Sequence, residues 1–259
     1  MTPGCLFANI NAETHDFVLM MDDLFPADQA DQTQGLALSQ VELALDQAAR
    51  LHASYWNDER LDDNTWMWET RAAGATATPE LILGLWTQFL DRYGARINPA
   101  CRRVGEAITA NFVAFRFGYD GPKCLTHNDF RPDNMMFGTA QGGAPVTIVD
   151  WQTPGYGCPM ADVSYFLGGA LSVESRRANE KALLEGYLKP LRAARVTDYG
   201  WDRLWRDYAR YSFALFNIAF TAAMVVEQTP RGDDMFFAML EGGAAHVLDL
   251  GAIAVLHKP

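Results

Sequence analysis

Near its middle the chain abandons helical spacing. Residues 123–126, 135–138 and 146–151 are short apolar runs separated by Gly, Pro and Asn, and the glycine-rich GTAQGGAP between the last two suits a hairpin turn. On either side apolar residues recur at helical intervals, so a small β element must be seated inside a helical body. Upstream, Ser39 with Glu42 three residues later forms a capping-box pattern for a first long helix, with Ala44, Ala48, Leu51 and Tyr55 along one face. Further helices are expected over 79–93 and 99–117, ending at Gly94 and Gly118, and then over 161–172, 173–190, 199–228 and 233–256. Ahead of them all, residues 5–10 and 16–21 read as a hairpin of two strands joined by the polar NAETH. The expected class is α+β.

Charge and cysteine usage narrow the function. The net charge is -11, and no lysine precedes Lys123. A chain so acidic lacks the clustered Lys and Arg that neutralise phosphates, which argues against a nucleic-acid or anionic-membrane partner. The longest apolar tract, 213–226, is interrupted by Asn217 and Thr221 and falls short of the roughly 20 residues a bilayer needs. The first residues show no basic region followed by an apolar stretch, so a secretory signal is not expected. Cys5, Cys101, Cys124 and Cys158 are widely spaced without a CxxC, the usage of reduced thiols in a soluble cytoplasmic protein.

The chemistry concentrates in CLTHNDFRPDNMMF, where His127, Asp129 and Asn134 form an HxDxxxxN pattern between two short strands, and in VTIVDW, which delivers Asp150. Given the His, Asp and Asn content, such a pattern arises by chance in roughly one sequence in sixty. The pattern suits phosphoryl transfer. One carboxylate must accept the proton of the attacking hydroxyl, and hard oxygen donors must hold Mg²⁺ against the phosphates. Asp129 fits the first task, Asn134 and Asp150 the second. Asp133 reads as a turn former or a further metal ligand.

THNDFRPDNMMF, VTIVDWQ and GCPMADVSYFL together resemble the small-molecule kinases related to aminoglycoside phosphotransferases and choline kinases, and most closely their ecdysteroid-kinase-like branch. The resemblance implies a protein-kinase-like fold, mainly its helical C-lobe with a short central β-hairpin and a remnant N-terminal hairpin and hinge. It implies ATP and Mg²⁺ as cofactors and a small-molecule hydroxyl as substrate. It makes Asp129 the catalytic base, with His127 organising its loop, Asn134 and Asp150 the metal ligands and Asp162 a structural anchor. FVLMMDDL resembles the hinge between the lobes, where backbone groups of Met20, Met21, Asp22 and Asp23 would bond adenine. On this reading residues 1–24 are remnant N-lobe strands and hinge, and 25–259 form the C-lobe, with catalytic loop 127–134 and metal-binding strand 146–151. Position 128 is Asn where the family commonly has Gly, a mild departure because Asn tolerates left-handed backbone angles.

One feature points away from a complete kinase. Relatives carry a glycine-rich loop, a strand Lys and a helix Glu ahead of the hinge, and this sequence has no lysine in the corresponding role. The expectation is therefore an N-terminally truncated phosphotransferase. The alternative is a catalytically impaired kinase-like module that binds a small molecule. Trp56, Trp66 and Trp68, interspersed with Asp58, Glu59, Asp62, Asp63 and Glu69, would either wall a cationic substrate or form a solvated surface segment. His52 and His246 read as packing residues. The acidic first half would suit an aminoglycoside, and the aromatic, Met-rich helices an apolar alcohol such as a steroid.

Overall fold

The computed structural model describes residues 2–62, 64, 67 and 77–256. Strands β1 (Cys5–Ile10) and β2 (Phe17–Met21) pair antiparallel as a two-stranded sheet of their own. The Asn11 side chain closes their turn, its Oδ1 accepting the amides of Glu13 and Thr14 at 2.9 and 3.2 Å. Strand β3 (Ala27–Gln29) then edges a second sheet, ordered β3–β5–β6, which contains the hairpin of β5 (Met135–Thr139) and β6 (Gly142–Ile148). Strands β4 (Cys124–Thr126) and β7 (Gly155–Gly157) make the third.

This topology creates the site. One connector, residues 127–134, leaves β4 for β5; the other, 149–154, leaves β6 for β7. Because β5 pairs with β6 and β4 with β7, both connectors bridge the same two sheets and must run side by side in opposite directions.

The helices are α1 (Leu38–Ser54), α2 (Pro79–Tyr93), α3 (Pro99–Ala110), α4 (Phe112–Phe117), α5 (Met160–Ala170), α6 (Val173–Ala193), α7 (Trp201–Tyr211), α8 (Phe213–Val225), α9 (Pro230–Asp249) and α10 (Ile253–Leu256). They build two aromatic-rich cores. In one, Ala44, Leu45 and Ala48 of α1 meet Phe166 of α5, Leu184 of α6 and Phe130, Met135 and Ile148 of the first connector and the central hairpin. In the other, Trp86 and Phe89 of α2 pack with Phe216 and Phe220 of α8 and Phe237 of α9. Burial of Phe130 fastens the first connector to the core from below. Among the described residues no helix is long and apolar enough to cross a membrane.

Several boundaries differ from expectation. Helix α1 begins one residue before Ser39; its cap is Ala37, whose amide donates to Gln40 Oε1 at 3.0 Å, and its buried stripe is Val41, Ala44, Leu45, Ala48, Ala49 and His52. The expected helix 99–117 breaks at Asn111, whose Nδ2 takes the carbonyl of Ala107, and 199–228 breaks at Ser212, whose Oγ takes the carbonyl of Ala209. In both, a short polar side chain competes with the backbone ladder. The last helix divides at Gly251, whose φ of 58° and the Ala252 amide on Val247 O form a left-handed stop. The third central strand ends at Ile148, so Asp150 and Trp151 lie in the connector and not on the strand. Helix α6 continues past Pro190 to Ala193.

Candidate active site

The 127–134 loop hangs from one buried carboxylate. Asp162, fully buried in the first turn of α5, accepts the amide of His127 through Oδ2 and that of Asn128 through Oδ1, both at 2.8 Å. Asn128 itself adopts φ 62°, a conformation Asn accepts at low cost. The Asn128 side chain is fixed in turn, donating to Thr153 O at 3.0 Å and accepting from Thr126 Oγ1 at 3.1 Å. Behind Asp162 stands His52 of α1, with Nε2 at 3.2 Å from Asp162 Oδ2 and Nδ1 at 2.7 Å from the Tyr187 hydroxyl. The assignment that satisfies every partner has His52 donating from Nε2 and accepting the Tyr187 proton at Nδ1.

His127 ties the two connectors together. Its Nε2 donates to the carbonyl of Val149 at 3.0 Å, and its Nδ1 accepts the amide of Asp129 at 3.3 Å. Val149 also donates its own amide to Asn134 O at 2.9 Å. The residue immediately before Asp150 is thus held by both ends of the 127–134 loop. Trp151 covers the imidazole edge-on, 4.6 Å between ring centres. Asp150 itself is exposed and turns away from strand geometry with φ 62°.

Asp129 is half-buried and faces three partners. Asn134 Nδ2 donates to its Oδ2 at 2.7 Å and to its carbonyl at 2.9 Å, which leaves Asn134 Oδ1 as a free-facing oxygen donor. Arg131 lies across the carboxylate, with Nε 3.2 Å from Oδ1, and pairs with Asp133 Oδ2 through Nη1 at 2.7 Å. Burial works against the Arg131 charge, but Asp129, Tyr165 and Asp133 outweigh it and the guanidinium is held above its ordinary value. The Tyr165 phenol is pushed up, first by its burial and then by the Asp129 charge.

Asp133 does not read as a metal ligand in this geometry. Its Oδ1 accepts the amide of buried Gln32 at 2.8 Å, its Oδ2 holds Arg131, and its carbonyl accepts Gln29 Nε2 at 2.6 Å. It fastens the loop to the segment after β3.

The sequence-derived residues fall into two groups. Asp129, His127, Asn134, Asp150 and Asp162 converge on the paired connectors. Met20 and Met21 lie in β2, Asp22 follows it with its amide on Gly4 O at 3.0 Å, and Asp23 Oδ1 accepts the Phe25 amide at 2.9 Å. None of these four residues hydrogen-bonds the 127–134 loop in the described structure. In the aromatic–acidic stretch, Trp56 donates to Asp198 and Asp58 pairs with Arg60; Trp66, Trp68, Asp63 and Glu69 lie outside the described residues. His52, expected only to pack, is the partner of Asp162, and Arg131, Gln32 and Thr153 join the site without a sequence expectation. Only Arg131, set two residues from each of two aspartates, carried a local signal.

The donor set fits a phosphate-bridged Mg²⁺. Among the described residues no cluster of three His, Cys, Asp or Glu could hold a metal by itself, whereas Asn134 and Asp150 offer hard oxygen donors on two connectors whose backbones are joined at Val149. Mg²⁺ characteristically takes one or two such ligands and completes its shell with water and phosphate.

The profile of the ecdysteroid kinase-like family matches residues 1–197. No curated protein matches the chain significantly. Among solved structures, the choline/ethanolamine kinase family protein of Mesorhizobium loti is 13% identical with a TM-score of 0.50, over 97% of this chain and 77% of that one. Choline kinase LicA of Streptococcus pneumoniae is also 13% identical with a TM-score of 0.50, over 94% of this chain and 74% of that one. The macrolide 2'-phosphotransferase of Brachybacterium faecium is 22% identical with a TM-score of 0.35, over 100% of this chain and 67% of that one. The likeness to the two choline-kinase structures establishes the fold as α+β and protein-kinase-like.

Proposed function

The chain belongs to the ecdysteroid kinase-like family, and on that premise we propose that it is an ATP- and Mg²⁺-dependent phosphotransferase acting on a hydroxyl of a small molecule. The observation that carries the reading is the Val149 clamp. It sets the connector bearing Asp150 beside the one bearing Asp129 and Asn134, which phosphoryl transfer requires of a base and two metal ligands.

In this scheme Asp129 accepts the proton of the attacking hydroxyl as its oxygen bonds the γ-phosphorus and the bond to the ADP oxygen breaks. Asn134 fixes the rotamer of that carboxylate, and His127 and Asp162 fix its backbone. Asn134 and Asp150 would hold the Mg²⁺, which when bound neutralises charge on the β- and γ-phosphates. Backbone groups at Met20–Asp23 are proposed to receive adenine. Membership of the ecdysteroid kinase-like family favours an apolar alcohol, such as a steroid, over a polycation.

A second reading, a kinase-like binding module that does not turn over, is favoured by one feature. Residues 2–49 contain no Lys or Arg, so none of the described strands β1, β2 and β3 offers a cation to the α- and β-phosphates. Incubation with γ-labelled ATP, Mg²⁺ and a panel of sterols, aminoglycosides and choline separates the two. Labelled phosphate ester that disappears in Asp129→Ala supports the enzyme; alcohol binding by calorimetry without ester supports the module.

A further inference from the structure

Arg131 forks across two carboxylates. Its Nη1 donates to Asp133 Oδ2 at 2.7 Å and to Gln32 Oε1 at 3.4 Å, while its Nε straddles Asp129, 3.2 Å from Oδ1 and 3.3 Å from Oδ2. A guanidinium carries five donors in one rigid plane. The two on Nη2 meet no acceptor among the described residues, and the side chain is 29% exposed, which leaves that edge of the fork to a ligand. No other Lys or Arg among the described residues forms an ion pair with Asp129, Asp133 or Asp150.

The lone pairs of Asp129 decide where a hydroxyl can approach. Asn134 Nδ2 claims Oδ2 at 2.7 Å, so Oδ1 is the less engaged oxygen and keeps room for a second hydrogen bond. A hydroxyl held there has the Arg131 guanidinium at its side, because both share Oδ1, and the phosphorus that it attacks lies one bond beyond. On the phosphotransferase reading, on which this step rests, we propose that Arg131 is a catalytic residue whose Nη2 edge binds the non-bridging oxygens of the phosphoryl group during transfer. The hydroxyl oxygen bonds phosphorus, the bond from phosphorus to the ADP oxygen breaks, and its electron pair leaves with ADP. The hydroxyl proton passes to Asp129 Oδ1. Protonation discharges the carboxylate that held Arg131, so the guanidinium is released to the phosphoryl oxygens while Asp133 and Gln32 keep the side chain in place.

The test measures labelled ester made by the full chain and, in parallel, titrates it by calorimetry with ADP and with the imido analogue of ATP, both with Mg²⁺. Arg131→Gln is expected to lower kcat about a hundredfold, with the KM for the alcohol moving less than about threefold. It should weaken the imido analogue about tenfold, the worth of one charge-assisted hydrogen bond, and leave ADP unchanged. Arg131→Lys keeps a cation between the two carboxylates but loses the fork; it should fold as the parent does and still lose about tenfold in kcat. A parent-like kcat in either variant, or an equal loss of affinity for ADP and the imido analogue, would overturn the role of Arg131 and leave the phosphotransferase standing. A parent chain that makes no ester and binds neither nucleotide would overturn both.

Discussion

Asn134 Nδ2 lies 2.7 Å from Asp129 Oδ2 and 2.9 Å from the Asp129 carbonyl, so one amide fixes both the side chain and the backbone of the candidate base. The same contact turns Asn134 Oδ1 away from Asp129. Asn134 thereby serves the base with one end and remains available to a metal with the other.

Phosphoryl transfer should respond to each end separately. Asp129→Ala is expected to lower turnover at least about a hundredfold, the usual contribution of a positioned base. Its unfolding midpoint should hardly move, because the carboxylate is half-buried and only Arg131 loses a paired charge. Asn134→Ala should lower turnover and also raise the Mg²⁺ concentration needed for half-maximal rate. Labelled-ester formation against a magnesium series makes both measurements, and an Asp129→Ala enzyme with unchanged turnover would remove Asp129 from its role.

Asp162→Ala should be a stability variant before it is an activity variant. It strands the amides of His127 and Asn128 and the ring of His52 in a buried site. Unsatisfied buried groups cost about 1–3 kcal/mol each, so a loss of about 2–5 kcal/mol is expected. Asp162→Asn keeps one acceptor oxygen and should lose less. Urea unfolding of the two variants settles the order; a change below 1 kcal/mol (about the error of the method) in Asp162→Ala would contradict the anchor.

The backbone at position 128 gives an unusually clear substitution order. With φ 62°, Asn128→Gly gains conformational tolerance while losing the bonds to Thr126 and Thr153, and should stay within about 1 kcal/mol of the parent. Asn128→Val forces a β-branched residue into that region and should cost more than Gly does by about 1–3 kcal/mol. Thermal unfolding compares them directly, and a Val variant as stable as the Gly variant would refute the assigned conformation.

His246 should make the fold acid-sensitive. Both ring nitrogens are buried without a hydrogen-bond partner, and burial, followed by the Arg176 charge, depresses the imidazole well below its ordinary value of 6.5, against the opposing Asp249. The groups around it are Arg176 with its partners Glu180 and Asp249, and Tyr208, whose ring lies 5.0 Å away. The unfolded chain takes up the proton near pH 6.5 and the folded chain does not, so stability is full above that pH and falls below it. The slope contributed by one such group approaches about 1.4 kcal/mol per pH unit. His246→Leu should flatten the decline between pH 6.5 and 5; an unchanged slope in urea titrations would show that other groups cause it.

What the residues determined locally, they determined well. The HxDxxxxN spacing, Asp150 at the end of an apolar run, the hairpin glycines and most helices depend on residue types a few positions apart, and local backbone preference and periodicity read such distances directly. The tertiary structure alone decided the rest. His52 meets Asp162 across 110 residues and Gln32 meets Asp133 across 101, and no short-range pattern encodes which buried polar groups will find each other. Likewise Asn111 and Ser212 look acceptable inside a helix until their side chains capture backbone carbonyls. Asp150, already a candidate ligand in the sequence, lies in a connector rather than on a strand, beside a Val149 that is bonded from both ends of the 127–134 loop. Burial made those pairings: a donor removed from water must find an acceptor wherever the packed chain presents one.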